Sequence, residues 1–239
     1  MRILVAATPE EFDREAADVV CALVRERPAA AVALPSGRTP RGMYRELARR
    51  VAGGEIDLGG VSAFAIDELY GVPREHPATN ASYFRERPLP FRALHVMDGG
   101  AQDASAECAR FLRLIEEAGG LDLVVLGIGR NGHLAFNEPG SPFDSHARLV
   151  ALEEQSREPY VELFGSLEAT PAFGLTLGLA DLMPARKALL LASGAAKAEA
   201  VARALEGPVT EDVPASVLQR HRDLTVVLDT DAAARLSQR

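Results

Sequence analysis

The sequence has few of the features that mark membrane, secreted or disulfide-bonded proteins. Its 239 residues contain two cysteines, Cys21 and Cys108, and no apolar run approaches the roughly 20 residues that cross a bilayer. Residues 1–5 also lack the layout of a signal peptide. Two lone thiols in such a chain are usually small buried side chains rather than a disulfide bond or a nucleophile. We therefore expect a cytoplasmic protein with no membrane span and no catalytic thiol.

Positive charge is scarce as well. The chain carries 26 basic against 34 acidic residues, a net charge of −8, and lysine occurs at positions 187 and 197 alone. An acidic chain does not attract a polyanion, and no nucleic-acid-binding motif is present. We expect a small-molecule partner and no nucleic acid. Any phosphate on that partner has to be held by a few local groups.

What the chain does contain is a regular alternation of short apolar runs and amphipathic stretches, with 47% hydrophobic residues. Strands are predicted at residues 2–7, 30–34, 61–66, 94–97, 121–126, 187–192 and 224–228. Helices are predicted at residues 9–27, 40–51, 80–87, 104–118, 195–205, 214–220 and 232–236. Apolar strands separated by helices predict a doubly wound α/β fold, with a mostly parallel, Rossmann-like sheet and helices on both faces. No boundary divides residues 1–239, so one domain is expected.

Two details of this pattern bear on the site. Thr8 and Thr39 each precede a proline and are predicted to cap the first two helices. Between residues 141 and 170, polar residues, Pro142, Pro159 and Gly165 interrupt the periodicity. A mobile flap over a ligand is predicted from this region.

Gly127, Gly129 and Gly132 spell G-x-G-x-x-G directly after the predicted strand 121–126. A dinucleotide fingerprint opens a helix and is followed about 20 residues later by an acidic residue at a strand end. Here the third glycine leads instead into His-Leu-Ala-Phe-Asn-Glu-Pro-Gly, whose last residues are typical of a turn. The context therefore disfavours a nicotinamide or flavin cofactor.

Asn131, His133 and Glu138 follow the same strand within eight residues. Such residues are most often solvated loop polars. A loop rich in glycine, however, is costly in backbone entropy, which is more easily explained if the backbone approaches a ligand. Imidazole moves protons near neutral pH, and a carboxylate on its far nitrogen fixes its tautomer. We favour an acid–base site at this strand end.

Ligands of open parallel sheets bind beyond the carboxyl ends of the strands, so the other strand ends matter too. Residues 36–39 enter a helix whose free N–H groups and dipole suit a phosphate, although Thr39 could serve as a plain cap. Asp67 and Glu68 end the third strand, either as solvated carboxylates or as a buried base. Lys197 lies in a first helical turn, where a cation is unfavourable unless it meets an anion.

With these residues in view, the chain resembles the glucosamine-6-phosphate deaminase family, within the wider group that includes 6-phosphogluconolactonases. The matching segments are residues 34–40, 66–71, 127–140, 175–178 and 194–198. The sequence GHLAFNEPG over residues 132–140 looks like the deaminase loop rather than the lactonase one. The resemblance implies conversion of an amino-sugar 6-phosphate to fructose 6-phosphate and ammonia, without a metal or an organic cofactor.

The resemblance also implies residue roles. His133 would assist ring opening at O5, tuned by Glu138 and oriented by Asn131, and Asp67 would carry the proton between C2 and C1. The phosphate would lie on four loop residues and one lysine: Ser36, Gly37, Arg38, Thr39 and Lys197. Three further residues are expected to line the substrate: Glu68, Gly129 and Gly132.

Several points stay open at this stage. Asn131 stands where some family members have aspartate, and residues 145–148 read Ser-His-Ala-Arg rather than the more usual Ser-Arg-Thr-Arg. The chain is shorter than the allosterically regulated hexamers, so allosteric control is not expected, and the choice between monomer and homo-oligomer is open. A galactosamine-6-phosphate deaminase, a 6-phosphogluconolactonase and a non-catalytic sugar-phosphate sensor are the alternatives.

Overall fold

The computed structural model describes residues 1–237, and within them a seven-stranded parallel sheet forms the centre of the molecule. Its strands lie in the order β1-β10-β9-β6-β2-β3-β5. Their bounds are β1 Arg2–Ala6, β2 Ala31–Leu34, β3 Ser62–Ala65, β5 Ala93–His95, β6 Leu123–Gly127, β9 Lys187–Ala192 and β10 Leu224–Asp229. The predicted α/β class is confirmed.

Helices cover both faces of this sheet, as the alternating pattern predicted. One face carries α1 (Pro9–Glu26), α2 (Arg41–Ala52) and α3 (Asn80–Arg85) over one apolar cluster. The other carries α4 (Ala104–Glu117), α7 (Leu179–Leu182) and α8 (Ala198–Glu206) over a second. Cys21 and Cys108 are unpaired and buried, one in each cluster. In residues 1–237, no helix is both long and apolar enough to span a bilayer.

The strand order places a crevice between β2 and β6. From β2 the chain continues outward through β3 to β5, and from β6 it continues the opposite way through β9 to β10. At such a reversal the loops after two neighbouring strands run to opposite faces and leave room between them. The loops after β2 and β6 are residues 35–40 and 128–138, which contain most of the predicted site residues.

A second, antiparallel sheet was not predicted. It consists of β4 (Asp67–Leu69), β8 (Phe173–Thr176) and β7 (Arg148–Ala151), in that order. Asp67 is paired with Thr176, and Thr176 with Arg148 on the other side. The prediction that Asp67 and Glu68 simply end the third strand is wrong, because β3 ends at Ala65 and the chain then joins this small sheet.

Three helix predictions need correction. Thr39 does not cap α2: the helix begins at Arg41 after Pro40, no side chain caps it, and Arg41 N–H donates to the carbonyl of Arg38 in a preceding turn. Residues 232–236 form turns and irregular backbone rather than a helix. Pro214–Arg220 and Ala195–Lys197 are 3₁₀ segments, which places Lys197 at the junction with α8.

The region predicted to form the flap, residues 141–170, has structure of its own. It contains β7, α5 (Glu154–Arg157), a 3₁₀ turn (Glu158–Tyr160) and α6 (Val161–Phe164). The Arg157 guanidinium donates to the carbonyls of Leu167, Thr170 and Pro171, which ties the segment to itself. Mobility of this region as a flap stays a prediction.

Candidate active site

His133 lies above the carboxyl end of β6 with its Nδ1 atom facing the carboxylate of Glu138. The Nδ1 to Oε2 distance is 3.2 Å, and the Glu138 side chain is 9% exposed. Ser156 Oγ contacts the same Nδ1 atom at 3.2 Å and donates to the other Glu138 oxygen. Asn131 Nδ2 donates to Glu138 Oε2 over 2.8 Å. The two carboxylate oxygens are thus held by three side chains, and they fix the face that the imidazole presents to the crevice.

These contacts decide the ionisation of Glu138. Burial alone would raise the pKa of Glu138, but the hydrogen bond and charge of His133, with the hydrogen bonds from Ser156 and Asn131, outweigh burial and lower it. Glu138 is therefore an anion at neutral pH. An anion beside Nδ1 favours the tautomer with hydrogen on that nitrogen and leaves Nε2 free to exchange a proton.

The glycines of this loop make room for the imidazole. A Cβ on Gly129 would come within 2.3 Å of His133 Nδ1, and Gly129 N–H donates to the His133 carbonyl over 3.0 Å. Gly132 has a φ of 90°, which favours glycine, and a Cβ there would meet Val213. Ala135 also has a positive φ, 51°, so this short loop is strained between His133 and Glu138. Whether Gly129 and Gly132 line a substrate stays a prediction.

Asp67 lies on β4 of the small sheet, within electrostatic reach of His133. Its Oδ1 accepts a hydrogen bond of 2.7 Å from Asn80 Nδ2, at the start of α3, and the residue is 8% exposed. Burial raises the pKa of Asp67 to about 6, although the Asn80 hydrogen bond and the charge of His133 both lower it. A carboxyl group with this pKa is ionised at neutral pH and is still basic enough to accept a proton.

Glu68 points away from the crevice into the protein. Its carboxylate accepts hydrogen bonds from the N–H groups of Leu69, Asn80 and Ala81, at 2.9, 2.9 and 3.2 Å, and the residue is 2% exposed. Burial raises the pKa of Glu68 to about 7 against these three N–H groups, and the charge of Asp67 raises it further. The contacts give Glu68 a positioning role for α3 and Asn80. The predicted contact with substrate stays a prediction.

Lys197 lies within electrostatic reach of two arginines, Arg130 in the loop after β6 and Arg38 in the loop after β2. Burial, and then the charges of Arg130 and Arg38, lower the pKa of Lys197 to about 8. Among residues 1–237 no carboxylate forms an ion pair with Arg38 or Lys197, whereas Arg130 pairs with Glu158. Mutually repelling cations in one place favour a bound anion.

The loop after β2 is fastened beside these cations by two tyrosines. Tyr44 from α2 donates to the carbonyl of Pro35 over 2.6 Å, and Tyr83 from α3 donates to the carbonyl of Gly37 over 2.8 Å. Gly37 has a φ of 95°, a conformation that glycine adopts without strain. Ser36, Arg38 and Thr39 keep some exposure in this loop.

Asp67, His133, Glu138 and Asn131 were predicted to share one site, and the structure places them near each other. Several residues that contact them were not predicted from the sequence. Ser156 lies in the aperiodic segment, 23 residues after His133, and nothing in its neighbourhood marks it. Asn80 could have been found as a polar residue at a helix start, where Thr79 is the cap. Arg130 was not among the predicted site residues.

Fold and site together define a class: an α/β protein of Rossmann-like topology with a histidine–glutamate pair, a buried aspartate and a lysine near two arginines beyond the carboxyl ends of its strands. A family model described as glucosamine-6-phosphate isomerases/6-phosphogluconolactonase matches residues 6–227. The chain belongs to this family.

Similar proteins support the deaminase branch of the family. A protein of Geobacillus sp. (strain WCH70) named glucosamine-6-phosphate deaminase is 38% identical over 237 residues, covering 97% of this chain and 94% of its own length. One from Clostridium botulinum (strain Kyoto / Type A2) with the same name is 36% identical, covering 99% of each. The solved structure of a monomeric glucosamine-6-phosphate deaminase superposes with a TM-score of 0.93 at 36% identity, over 98% of this chain and 99% of that one.

More distant structures share the fold alone. The 6-phosphogluconolactonase from Trypanosoma brucei superposes with a TM-score of 0.77 at 22% identity, covering 99% of this chain and 98% of that one. At this identity, the similarity carries the arrangement of strands and helices and no conclusion about chemistry.

Proposed function

We propose that this protein is a glucosamine-6-phosphate deaminase, which converts glucosamine 6-phosphate and water to fructose 6-phosphate and ammonia. The observation that carries the proposal is the placing of a buried carboxylate of raised pKa, Asp67, within electrostatic reach of a carboxylate-bound imidazole, His133. Relatives with this name, at 36–38% identity over nearly the whole chain, support it.

His133 opens the sugar ring in this proposal. With Nδ1 engaged by Glu138 and Ser156, Nε2 is the nitrogen that exchanges a proton with the ring oxygen O5. The Glu138 anion stabilises the imidazolium that forms when Nε2 gains a proton, and Asn131 holds that anion in place. The open chain then exposes the hydrogen on C2 to a base.

Asp67 is the proposed base. It takes the proton from C2 and returns it to C1, while O1 gains a proton that the C2 ammonium gives up, so that C1 becomes an alcohol carbon and C2 an iminium carbon. Water adds at C2, the nitrogen leaves as ammonia, and the oxygen of that water becomes the ketone oxygen of fructose 6-phosphate. Asn80 aims the carboxylate throughout, because its side-chain amide donates to Oδ1.

The phosphate is proposed to lie on the loop of Ser36, Gly37, Arg38 and Thr39 and on Lys197. This contact is remote from C1 and C2, so its binding energy serves to orient the reacting carbons over Asp67. A bound phosphate dianion also stabilises the Lys197 ammonium against its burial.

The decisive experiment compares three substrates. Purified protein is assayed for ammonia and fructose 6-phosphate with glucosamine 6-phosphate, for ammonia with galactosamine 6-phosphate, and for hydrolysis of 6-phosphogluconolactone. Ammonia and fructose 6-phosphate from the first substrate support the proposal. If galactosamine 6-phosphate is the single substrate that yields ammonia, the protein is a galactosamine-6-phosphate deaminase. If the lactone is the single substrate that reacts, the protein is not a deaminase.

A cytoplasmic location and a role in amino-sugar breakdown belong to the same proposal. Growth of the source cells on N-acetylglucosamine, with and without this gene, tests the role, and fractionation tests the location. A protein that binds glucosamine 6-phosphate but releases no ammonia would be a sensor rather than an enzyme.

A further inference from the structure

The segment of residues 154–160 touches three separate parts of the crevice through residues at alternate positions. Ser156 contacts His133 and Glu138, as described above. Two residues further on, Glu158 pairs with Arg130 beside Lys197. Two residues further on again, Tyr160 packs against the apolar cluster that contains Leu69 and Phe136, and burial, followed by the charges of Asp67 and Glu68, raises the pKa of its phenol. The segment therefore spans the crevice from its acid–base pair to its cations.

Arg130 stands out among these contacts because the acid–base chemistry does not use it. It lies between Gly129 and Asn131 in the loop after β6, and its side chain is 48% exposed. The loops that carry Arg130 and Lys197 follow neighbouring strands, since Gly127 at the end of β6 is paired with Leu191 of β9, and the charge of the guanidinium lowers the pKa of that ammonium. A guanidinium presents a planar fork of N–H donors that matches two phosphate oxygens at once.

Glu158 is the carboxylate that pairs with the Arg130 guanidinium. In residues 1–237 it is the single carboxylate in an ion pair with any of the three cations Arg38, Arg130 and Lys197. Its side chain is 54% exposed, so the pair is weak enough to exchange for another anion. A phosphate dianion on Lys197 would compete with the Glu158 carboxylate for Arg130.

We propose that Arg130 is a further phosphate ligand of the site and that Glu158 is a built-in competitor, which the substrate phosphate displaces. The inference rests on the proposed function for the identity of the ligand, a sugar 6-phosphate. It adds to that function a residue that binds the phosphate and a flap residue that weakens its binding. Displacement of Glu158 also releases one of the contacts by which residues 154–160 lie on the crevice.

Substitution of the two members of this ion pair should change phosphate affinity in opposite directions. Arg130→Gln removes a charged donor pair and weakens phosphate binding by roughly tenfold or more. Glu158→Gln removes the competitor and tightens it by about two- to fivefold, the range expected for an exposed ion pair. A pair with a merely structural role changes phosphate affinity in neither variant, or weakens it in both.

Affinity for inorganic phosphate and for fructose 6-phosphate is measured by titration calorimetry at fixed ionic strength, with unphosphorylated fructose as the blank. Glu26→Gln is the matched control: it makes the same change of charge in an exposed pair, with Lys187 at 2.7 Å, at the opposite end of β9. This variant should bind phosphate as the unaltered protein does. When Glu158→Gln is combined with Arg130→Gln, it should not increase the affinity for phosphate further, because the guanidinium for which Glu158 competes is gone.

Arg130→Lys is a control for folding, since it keeps the positive charge but loses the planar guanidinium. Its affinity for phosphate should lie between those of the unaltered protein and Arg130→Gln. Phosphate affinity unchanged in Arg130→Gln, or weakened in Glu158→Gln, overturns the proposal. Because the titration needs no turnover, the two proposals fail separately. Opposite shifts without ammonia release refute the deaminase alone, and ammonia release without those shifts refutes the role of the pair alone.

Discussion

The two carboxylates that face His133 are both buried, and their pKa values move in opposite directions. Glu138 is surrounded by three hydrogen-bonding side chains, and its pKa falls below the ordinary value despite burial. Asp67 has one side-chain donor, Asn80, and burial raises its pKa to about 6. Deeper burial and fewer hydrogen-bond donors together give Asp67 the higher pKa, whereas Glu138 stays an anion at neutral pH.

Asp67→Asn should cause the largest loss of activity. An amide cannot accept the proton from C2, so kcat should fall by roughly a thousandfold, within the range typical of a lost general base. Affinity for fructose 6-phosphate should stay within about twofold, since the phosphate contacts are remote from this residue. Steady-state ammonia release and calorimetric titration measure the two quantities. Collapse of ligand binding together with kcat would mean that Asp67 holds the sugar rather than moving its proton.

Gly129→Ala should have the next largest effect. The new methyl group would lie within 2.3 Å of His133 Nδ1 and would push the imidazole off Glu138. A misplacement of about 1 Å can reduce the rate about a hundredfold, and a loss of that size in kcat is expected. Gly127→Ala is the control, because a Cβ there meets nothing within 4 Å and the backbone φ is not positive. Equal losses in the two variants would refute the explanation.

Stability should respond to pH with opposite signs at the two carboxylates. Folded Asp67 keeps its proton up to about pH 6, whereas an unfolded aspartate releases it near 3.8. Between these values the folded state binds more protons, so stability falls as pH rises, by up to about 3 kcal/mol. Asp67→Asn should therefore raise the free energy of unfolding at pH 8 by up to about 3 kcal/mol and change it little near pH 3.5.

Glu138 supplies the reverse case. Its folded pKa lies below 4.5, so its contribution to stability is fully present above that value and is lost as the pH falls through the folded pKa. Glu138→Gln should lower the free energy of unfolding at pH 7, with a smaller effect in acid. Urea denaturation of both variants across pH 3.5–8 gives the comparison, and a common sign at pH 7 to 8 would contradict it.

Asn80→Ala should have the smallest effect, a shift in pH dependence. The acid limb of kcat/KM is expected near pH 6, where Asp67 becomes ionised. Loss of the Asn80 hydrogen bond removes an influence that lowers this pKa, so the limb should move to higher pH. Thr79→Ala is the control: it removes the cap of α3, which accepts from Ser82 N–H, without touching Asp67. A limb that moves equally in both variants would point to helix disruption.

The sequence was sufficient for the central sheet and for the placement of polar residues at its strand ends. Parallel strands such as β6 and β9 are continuous apolar runs, and Asp67, His133 and Glu138 each follow one closely enough for the topology to bring them together. The small sheet was not predictable, because polar residues or glycine interrupt each of its strands and the strands pair across segments that are distant in the chain. Ser156 and Arg130 were missed for a related reason: their roles depend on packing between segments distant in the chain.

The small sheet also connects two parts of the site through Thr176 of β8. Thr176 is paired with Asp67 on one side and with Arg148 on the other, and its hydroxyl accepts the N–H of Phe136 over 3.2 Å. One threonine thus sets the spacing between the strand of Asp67 and the loop that joins His133 to Glu138. A slip of β8 by one residue would turn this side chain to the other face of the sheet. The position of Asp67 relative to the His133 loop therefore depends on a residue that has no proposed role in the chemistry, and a graft of this site onto another scaffold has to include β8.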